Sequence, residues 1–120
     1  MTLKECYDSF GGNYEEVLSR LMDDKRVQRF AFKFLNDTNF DTLCECLENE
    51  KYEDAFRAAH TIKGLCLNLG FERLRISSDE LTEALRNGKG DGTEELLEKV
   101  RADYTEVITA LKEYQEQQPV

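Results

Sequence analysis

Apolar residues recur at intervals of three or four along almost the whole chain, which is the spacing of one face of an α-helix. The clearest stretch runs from Tyr52 to Leu69 and is ended by Gly70, and another runs from near Glu72 to Arg86. The alternation typical of β-strands does not compete with this pattern, and the 120 residues contain a single proline. The sequence therefore predicts an all-α fold.

The same spacing predicts four shorter helices before Tyr52 and a last helix after the glycine-rich loop 88–92. Asp91 together with Glu94, or Thr93, is expected to cap the last helix. Short connections between long amphipathic helices favour antiparallel neighbours. We therefore predict one domain over residues 1–120, an antiparallel up-down four-helix bundle with its core at about residues 38–114. Short N-terminal helices at about residues 3–36 cover one end of that bundle.

The charge balance excludes several classes of partner. The net charge is −9, whereas a protein that binds nucleic acid or an anionic membrane needs a basic face. The first residues contain no apolar signal-peptide core, and no segment approaches the length of a membrane span. We therefore expect a cytoplasmic protein with four reduced thiols and no membrane or nucleic-acid partner. A single histidine and the lack of a Cys-x-x-Cys pair argue against a metal site.

The helix from Tyr52 to Leu69 has two unlike faces. At 100° per residue, the residues around Ile62 form an alanine-rich stripe suited to the core: Ala55, Ala58, Ala59, Leu65, Cys66 and Leu69. The opposite face holds Phe56, Arg57, His60, Gly64 and Leu67, with Lys63 at its shoulder. Glycine inside a helix costs about 1 kcal/mol relative to alanine, so Gly64 indicates a function on this outer face.

The outer face combines a nucleophile with open access. Gly64, at i+4 from His60, leaves no side chain beside the imidazole, so a bulky group can approach the ring. Lys63 at i+3 and Arg57 at i−3 place positive charge within reach of an anion on that ring. Apolar Phe56 and Leu67 could form a docking rim, although Phe56 could instead pack under the N-terminal helices. These residues favour transfer of a phosphoryl group to and from another protein.

The segment from Ala59 to Gly70 resembles the signature of histidine-containing phosphotransfer (HPt) domains. In this signature His60 is followed by Lys63-Gly64 and, ten positions on, by Gly70. Leu67 departs from the pattern, because many members have a small residue there. The resemblance implies a four-helix bundle in which His60 accepts the phosphoryl group, Lys63 stabilises its charge and Gly64 gives access. It also implies an orienting partner for the imidazole on the next helix, which by position is Thr82.

The resemblance also implies a set of partners. They are response-regulator receiver domains and a hybrid histidine kinase, which would dock on Phe56, Arg57, Leu67 and Asn68. The chain would be a monomeric carrier in a phosphorelay, without kinase or phosphatase activity. It would need no cofactor of its own, because the receiver supplies Mg²⁺ during transfer. A helical adaptor that docks receivers without accepting phosphate, and a metal- or thiol-based sensor, are the alternative functions.

Overall fold

The computed structural model describes residues 1–119 and is built of helices. In chain order they are α1 (Leu3–Ser9), α2 (Tyr14–Leu21), α3 (Asp24–Lys33) with a 3-10 turn at Phe34–Asn36, α4 (Asn39–Glu48), α5 (Tyr52–Leu69), α6 (Glu72–Leu85) and α7 (Thr93–Glu116). No strand occurs in this part of the chain, so the predicted all-α fold is confirmed. Val120, the last residue of the predicted domain, lies outside the described residues. None of the described helices combines the length and apolar character needed to cross a bilayer.

Helices α4 to α7 form the bundle, each packed against the next along the chain. Two contacts show that α5 and α6 are antiparallel: Lys63 pairs with Asp79, whereas Phe56, nearer the start of α5, lies under Arg86, nearer the end of α6. Helix α7 returns to α4 through Phe40 and Tyr104, whose rings stack with centroids 4.3 Å apart. The predicted up-down bundle is therefore confirmed.

The N-terminal helices cover the end of the bundle where α5 ends and α6 begins. Phe71, at the N-cap of α6, is fully buried there against three other aromatic rings. The distances from its ring centroid are 5.5 Å to Tyr7, 5.3 Å to Phe10 and 5.2 Å to Phe34. Large buried aromatic side chains contribute much of the apolar burial of a small protein, so this cluster fixes the N-terminal segment to the bundle.

The same segment also caps the C-terminal end of α5. Gly70 ends this helix in the left-handed conformation, at φ +72°, and its N–H donates to the carbonyl of Cys66. The carbonyls that follow have no partner within the helix. The Leu69 carbonyl accepts a hydrogen bond from the Tyr7 hydroxyl (2.8 Å), and the Leu67 and Asn68 carbonyls accept from the Arg20 guanidinium (3.1 and 3.0 Å). The Gly70 carbonyl accepts from the Asn13 N–H (2.7 Å). The chain's first helices thus complete the helix that carries His60.

The predicted cap of α7 is wrong. Gly92 is the N-cap residue, at φ +74°, and no side chain caps the helix. The Thr93 hydroxyl instead donates to the carbonyl of Gly90 at 2.7 Å. The chain enters α7 through a glycine in the left-handed conformation, whereas an Asp or Thr cap requires an extended backbone. The predicted side-chain cap therefore does not form.

Candidate functional site

His60 lies in the middle of α5 and is exposed to solvent. The other side of the helix is buried as the periodicity predicted, at Ala55, Ala58, Ala59, Ile62, Cys66 and Leu69. Leu65 is half-buried at the edge of this stripe. Because the core face is confirmed, the imidazole points away from the bundle, where a second protein can reach it.

Gly64 leaves open space one turn after His60. Its backbone is helical, and a Cβ atom placed on it would meet no other group within 4 Å. Neither packing nor backbone conformation therefore requires glycine at this position. Its structural consequence is the empty surface beside the imidazole.

Lys63 is not a free cation. Its Nζ lies 2.8 Å from Oδ1 of Asp79 on α6, and both side chains are partly buried, at 28% and 38% exposure. Sequence reasoning placed Lys63 near the ring but missed Asp79. Asp79 could not be found from the periodicity of α5, because the pairing depends on how α6 is positioned along it.

A second group of side chains packs beside the imidazole. The Phe56 ring lies parallel to the His60 ring, at an angle of 4° and with the centroids 6.0 Å apart. The guanidinium of Arg86, the C-cap residue of α6, lies over the Phe56 ring, 5.4 Å from its centroid. Phe56 thus packs toward α6, and the alternative in which it lies under the N-terminal helices is wrong.

Glu83 completes this group. Its two carboxylate oxygens accept hydrogen bonds from Arg86 at 2.9 and 2.7 Å. The hydrogen-bonded guanidinium lowers the pKa of the Glu83 carboxyl, and the nearby Lys63 and His60 lower it further. Helix α6 therefore places one carboxylate on Lys63 and a second within electrostatic reach of the imidazole.

The comparisons with known proteins agree with this geometry. Residues 31–113 match the family model described as Hpt domain. The chain belongs to the Hpt domain family. No curated protein and no solved structure matches it significantly. Hpt domains carry phosphoryl groups in two-component signalling, interact with receiver and kinase domains, and are neither kinases nor phosphatases.

Thr82 of α6 is the residue that the resemblance implies as the orienting partner of the imidazole in this Hpt domain. The residue is fully buried, and its hydroxyl donates to the carbonyl of Ser78 at 2.7 Å. On α6 the residues that face the His60 side are Asp79, Glu83 and Arg86. Successive residues on a helix are rotated by about 100° about its axis, so Thr82 points into the core while Glu83 points outward. Thr82 therefore packs in the core with its hydroxyl bonded within α6, and its orienting role toward the imidazole stays a prediction.

The four residues expected to dock a partner differ in the solvent exposure of their side chains. Arg57 and Asn68 are exposed, Leu67 is 49% exposed and Phe56 is half-buried. Arg57 forms an ion pair with Asp54 on its own helix, at 2.7 Å. This arrangement leaves Leu67 as the exposed apolar side chain on the predicted rim.

Two apolar features near this surface were not found from the sequence. Ile76 on α6 is 47% exposed, and the antiparallel pairing of α5 with α6 places it near the same end as Leu67. A groove of about 630 Å³ also runs between α3 and α5, with Phe30, Leu65 and Asn68 among its lining residues. Phe30 of α3 is 39% exposed, and the packing of α3 on α5 places it at this groove.

The thiols do not join His60 in a common site. Cys66 is fully buried on the core side of α5, where burial raises the pKa of its thiol. Among the described residues, no three side chains of the types His, Cys, Asp and Glu come together in a way that could hold a metal ion.

Proposed function

We propose that this Hpt domain is a phosphorelay intermediate, which accepts a phosphoryl group on His60 from a receiver aspartate and passes it to another receiver. The observation that carries the proposal is the exposed imidazole of the chain's single histidine beside the open space at Gly64. An exposed imidazole is a competent nucleophile near neutral pH, when its ring carries a free lone pair.

The chemical step needs little from this chain beyond position. The lone pair of a ring nitrogen forms the N–P bond while the P–O bond to the receiver's aspartate breaks, and the electron pair remains on that carboxylate. The open surface at Gly64 lets the two reacting groups align, and the ammonium of Lys63 lies on the same face as the incoming negative charge. The Mg²⁺ that transfer requires comes with the receiver in this proposal.

The partners in the proposal are receiver domains and a hybrid histidine kinase, met in the cytoplasm by a monomer. Leu67 and Ile76 provide exposed apolar side chains toward the C-terminal end of α5, and the groove between α3 and α5 lies beside Asn68. An intermediate that must release each partner needs a small interface, below about 1,200 Å². Arg57 and Phe56 lie on α5 one turn before His60.

Labelled phosphate provides the test. Receiver domains phosphorylated with labelled acetyl phosphate and Mg²⁺ should place one acid-labile phosphoryl group on the wild-type chain. His60→Gln should remove the label and leave the melting curve unchanged, because His60 is exposed. Receivers whose aspartate is replaced by asparagine are the control. Label that survives His60→Gln would contradict the proposal, and receiver binding without any transfer would favour the adaptor function instead.

A further inference from the structure

Three cationic side chains close to His60 are each already in contact with a carboxylate. The pairs are Lys63 with Asp79 at 2.8 Å, Arg57 with Asp54 at 2.7 Å, and Arg86 with Glu83 at 2.7 Å. Each of these three cations is therefore already balanced by a carboxylate before phosphorylation, in a chain whose net charge is −9. A phosphoryl group on His60 adds negative charge to a surface whose cations are engaged.

The pair between Lys63 and Asp79 differs from the other two. It joins two helices, whereas Arg57–Asp54 and Arg86–Glu83 each link residues three apart on one helix. It is also the least exposed, at 28% and 38% against 53% and 52% for Arg86 and Glu83. Partial burial reduces screening by water and salt relative to the two more exposed pairs.

We propose that Asp79 is a positioning residue that sets the phosphoryl-transfer potential of His60 by competing with the phosphoryl group for Lys63. This inference rests on the proposed function of His60 as phosphoacceptor. The ammonium of Lys63 ends a flexible stem and carries three donors, so it can turn from Asp79 toward a group bound three residues away. Asp79 lies on the neighbouring helix α6, with a shorter side chain than that of Lys63.

The competition for Lys63 destabilises the phosphorylated state of His60. When the N–P bond forms, Lys63 either stays with Asp79 and leaves the phosphoryl group without its cation, or turns and leaves the carboxylate without one. Both arrangements raise the free energy of the phosphorylated state relative to a chain whose Lys63 is free. The phosphoryl group on His60 therefore passes more readily to the next acceptor. By linkage, phosphorylation weakens the pair between Lys63 and Asp79 to the same extent.

Phosphoramidate tests the inference without a receiver, because its phosphoryl group can move to an imidazole nitrogen while ammonia leaves. The full-length chain is brought to equilibrium at fixed phosphoramidate and ammonium concentrations, and intact-protein mass spectrometry gives the ratio of phosphorylated to free protein. Asp79→Asn should raise this ratio about two- to fivefold, the range expected for one partly exposed ion pair. Glu80→Gln is the matched control, because Glu80 lies on the same helix and pairs with Lys99 of α7. It should leave the ratio unchanged.

A Lys63→Gln background separates competition from simple repulsion. If Asp79 acts through Lys63, Asp79→Asn should have no effect on the ratio once Lys63 is replaced. An equal rise in both backgrounds, or an unchanged ratio with Asp79→Asn alone, would overturn the inference. Either result would leave the proposed function intact, since that depends on labelling by receivers. Melting curves of all variants exclude an effect of altered folding.

Discussion

Gly64 lies one turn after His60 with open space around it, so its effects on stability and on transfer can be separated. Gly64→Ala should stabilise the chain by up to about 1 kcal/mol, because alanine favours helix. Gly64→Gln should also fold, since no neighbour meets its Cβ, but its longer side chain should crowd the imidazole and slow transfer at least tenfold. Urea unfolding and the transfer rate from a phosphorylated receiver measure the two effects. Native transfer by a folded Gly64→Gln variant would show that access is not its role.

Leu67 is half exposed on the side of α5 turned away from the core. Leu67→Asp should therefore change the free energy of unfolding by less than about 0.5 kcal/mol, as is usual for surface sites, while weakening receiver binding. Leu74→Asp is the matched comparison, because Leu74 is 1% exposed and burying a charge there should cost several kcal/mol. Melting curves beside a binding titration measure both effects. Unfolding by Leu67→Asp would remove this residue from the docking surface.

The pair of helices α5 and α6 shows how far the sequence predicts the site. The faces of α5 follow from 3.6-residue periodicity, which is local, so the exposure of His60 and the burial of Ile62 could be predicted. The partners of Lys63 and Phe56 depend on the axial position and rotation of α6, which are set by packing between helices. A shift of one residue separates Thr82, which is buried, from Glu83, which faces the site. Such pairs are decided by long-range packing between helices, which cannot be read from the periodicity of the sequence.

The C-terminal end of α5 depends on hydrogen bonds from another part of the chain. Tyr7 is fully buried, and its hydroxyl donates to the carbonyl of Leu69. Tyr7→Phe should destabilise the chain by about 1–3 kcal/mol, because a buried carbonyl loses its partner. Tyr14→Phe is the control, since its hydroxyl bonds Asp24 at the surface and should cost less than about 0.5 kcal/mol. Urea unfolding measures both, and equal stabilities would mean that water replaces the Tyr7 hydroxyl.

Across the whole molecule, the family match covers fewer residues than the folded helices do. The match covers residues 31–113 and leaves out α1 and α2. These helices nevertheless supply Tyr7 and Arg20, which bind the last carbonyls of the helix that carries His60. The bundle was predictable from periodicity and short loops. The capping by the N-terminal segment was not, because it relies on side chains 47 to 62 positions away from their acceptors.

The thiols report on the packing of the whole core. Cys6 and Cys66 are fully buried, and burial raises the pKa of Cys6 to about 11 and also raises the pKa of Cys66. At pH 8 both remain protonated and shielded, so iodoacetamide should modify the half-buried Cys46 in the native protein while sparing these two. Peptide mass spectrometry after timed alkylation measures this, with urea-unfolded protein as the control. Modification of Cys66 as fast as Cys46 would mean that the bundle opens far more often than its packing implies.

The contact between the first and last helices has a consequence for synthesis on the ribosome. The thiol of Cys6 in α1 donates to the carbonyl of Ala110 in α7, 104 positions along the chain. At ~5–20 residues per second, Cys6 is added to the growing chain ~5–20 s before Ala110. For that interval the part of α1 that packs on α7 is uncovered. A nascent chain that stops before α7 leaves this surface open to the proteases that remove unfinished proteins.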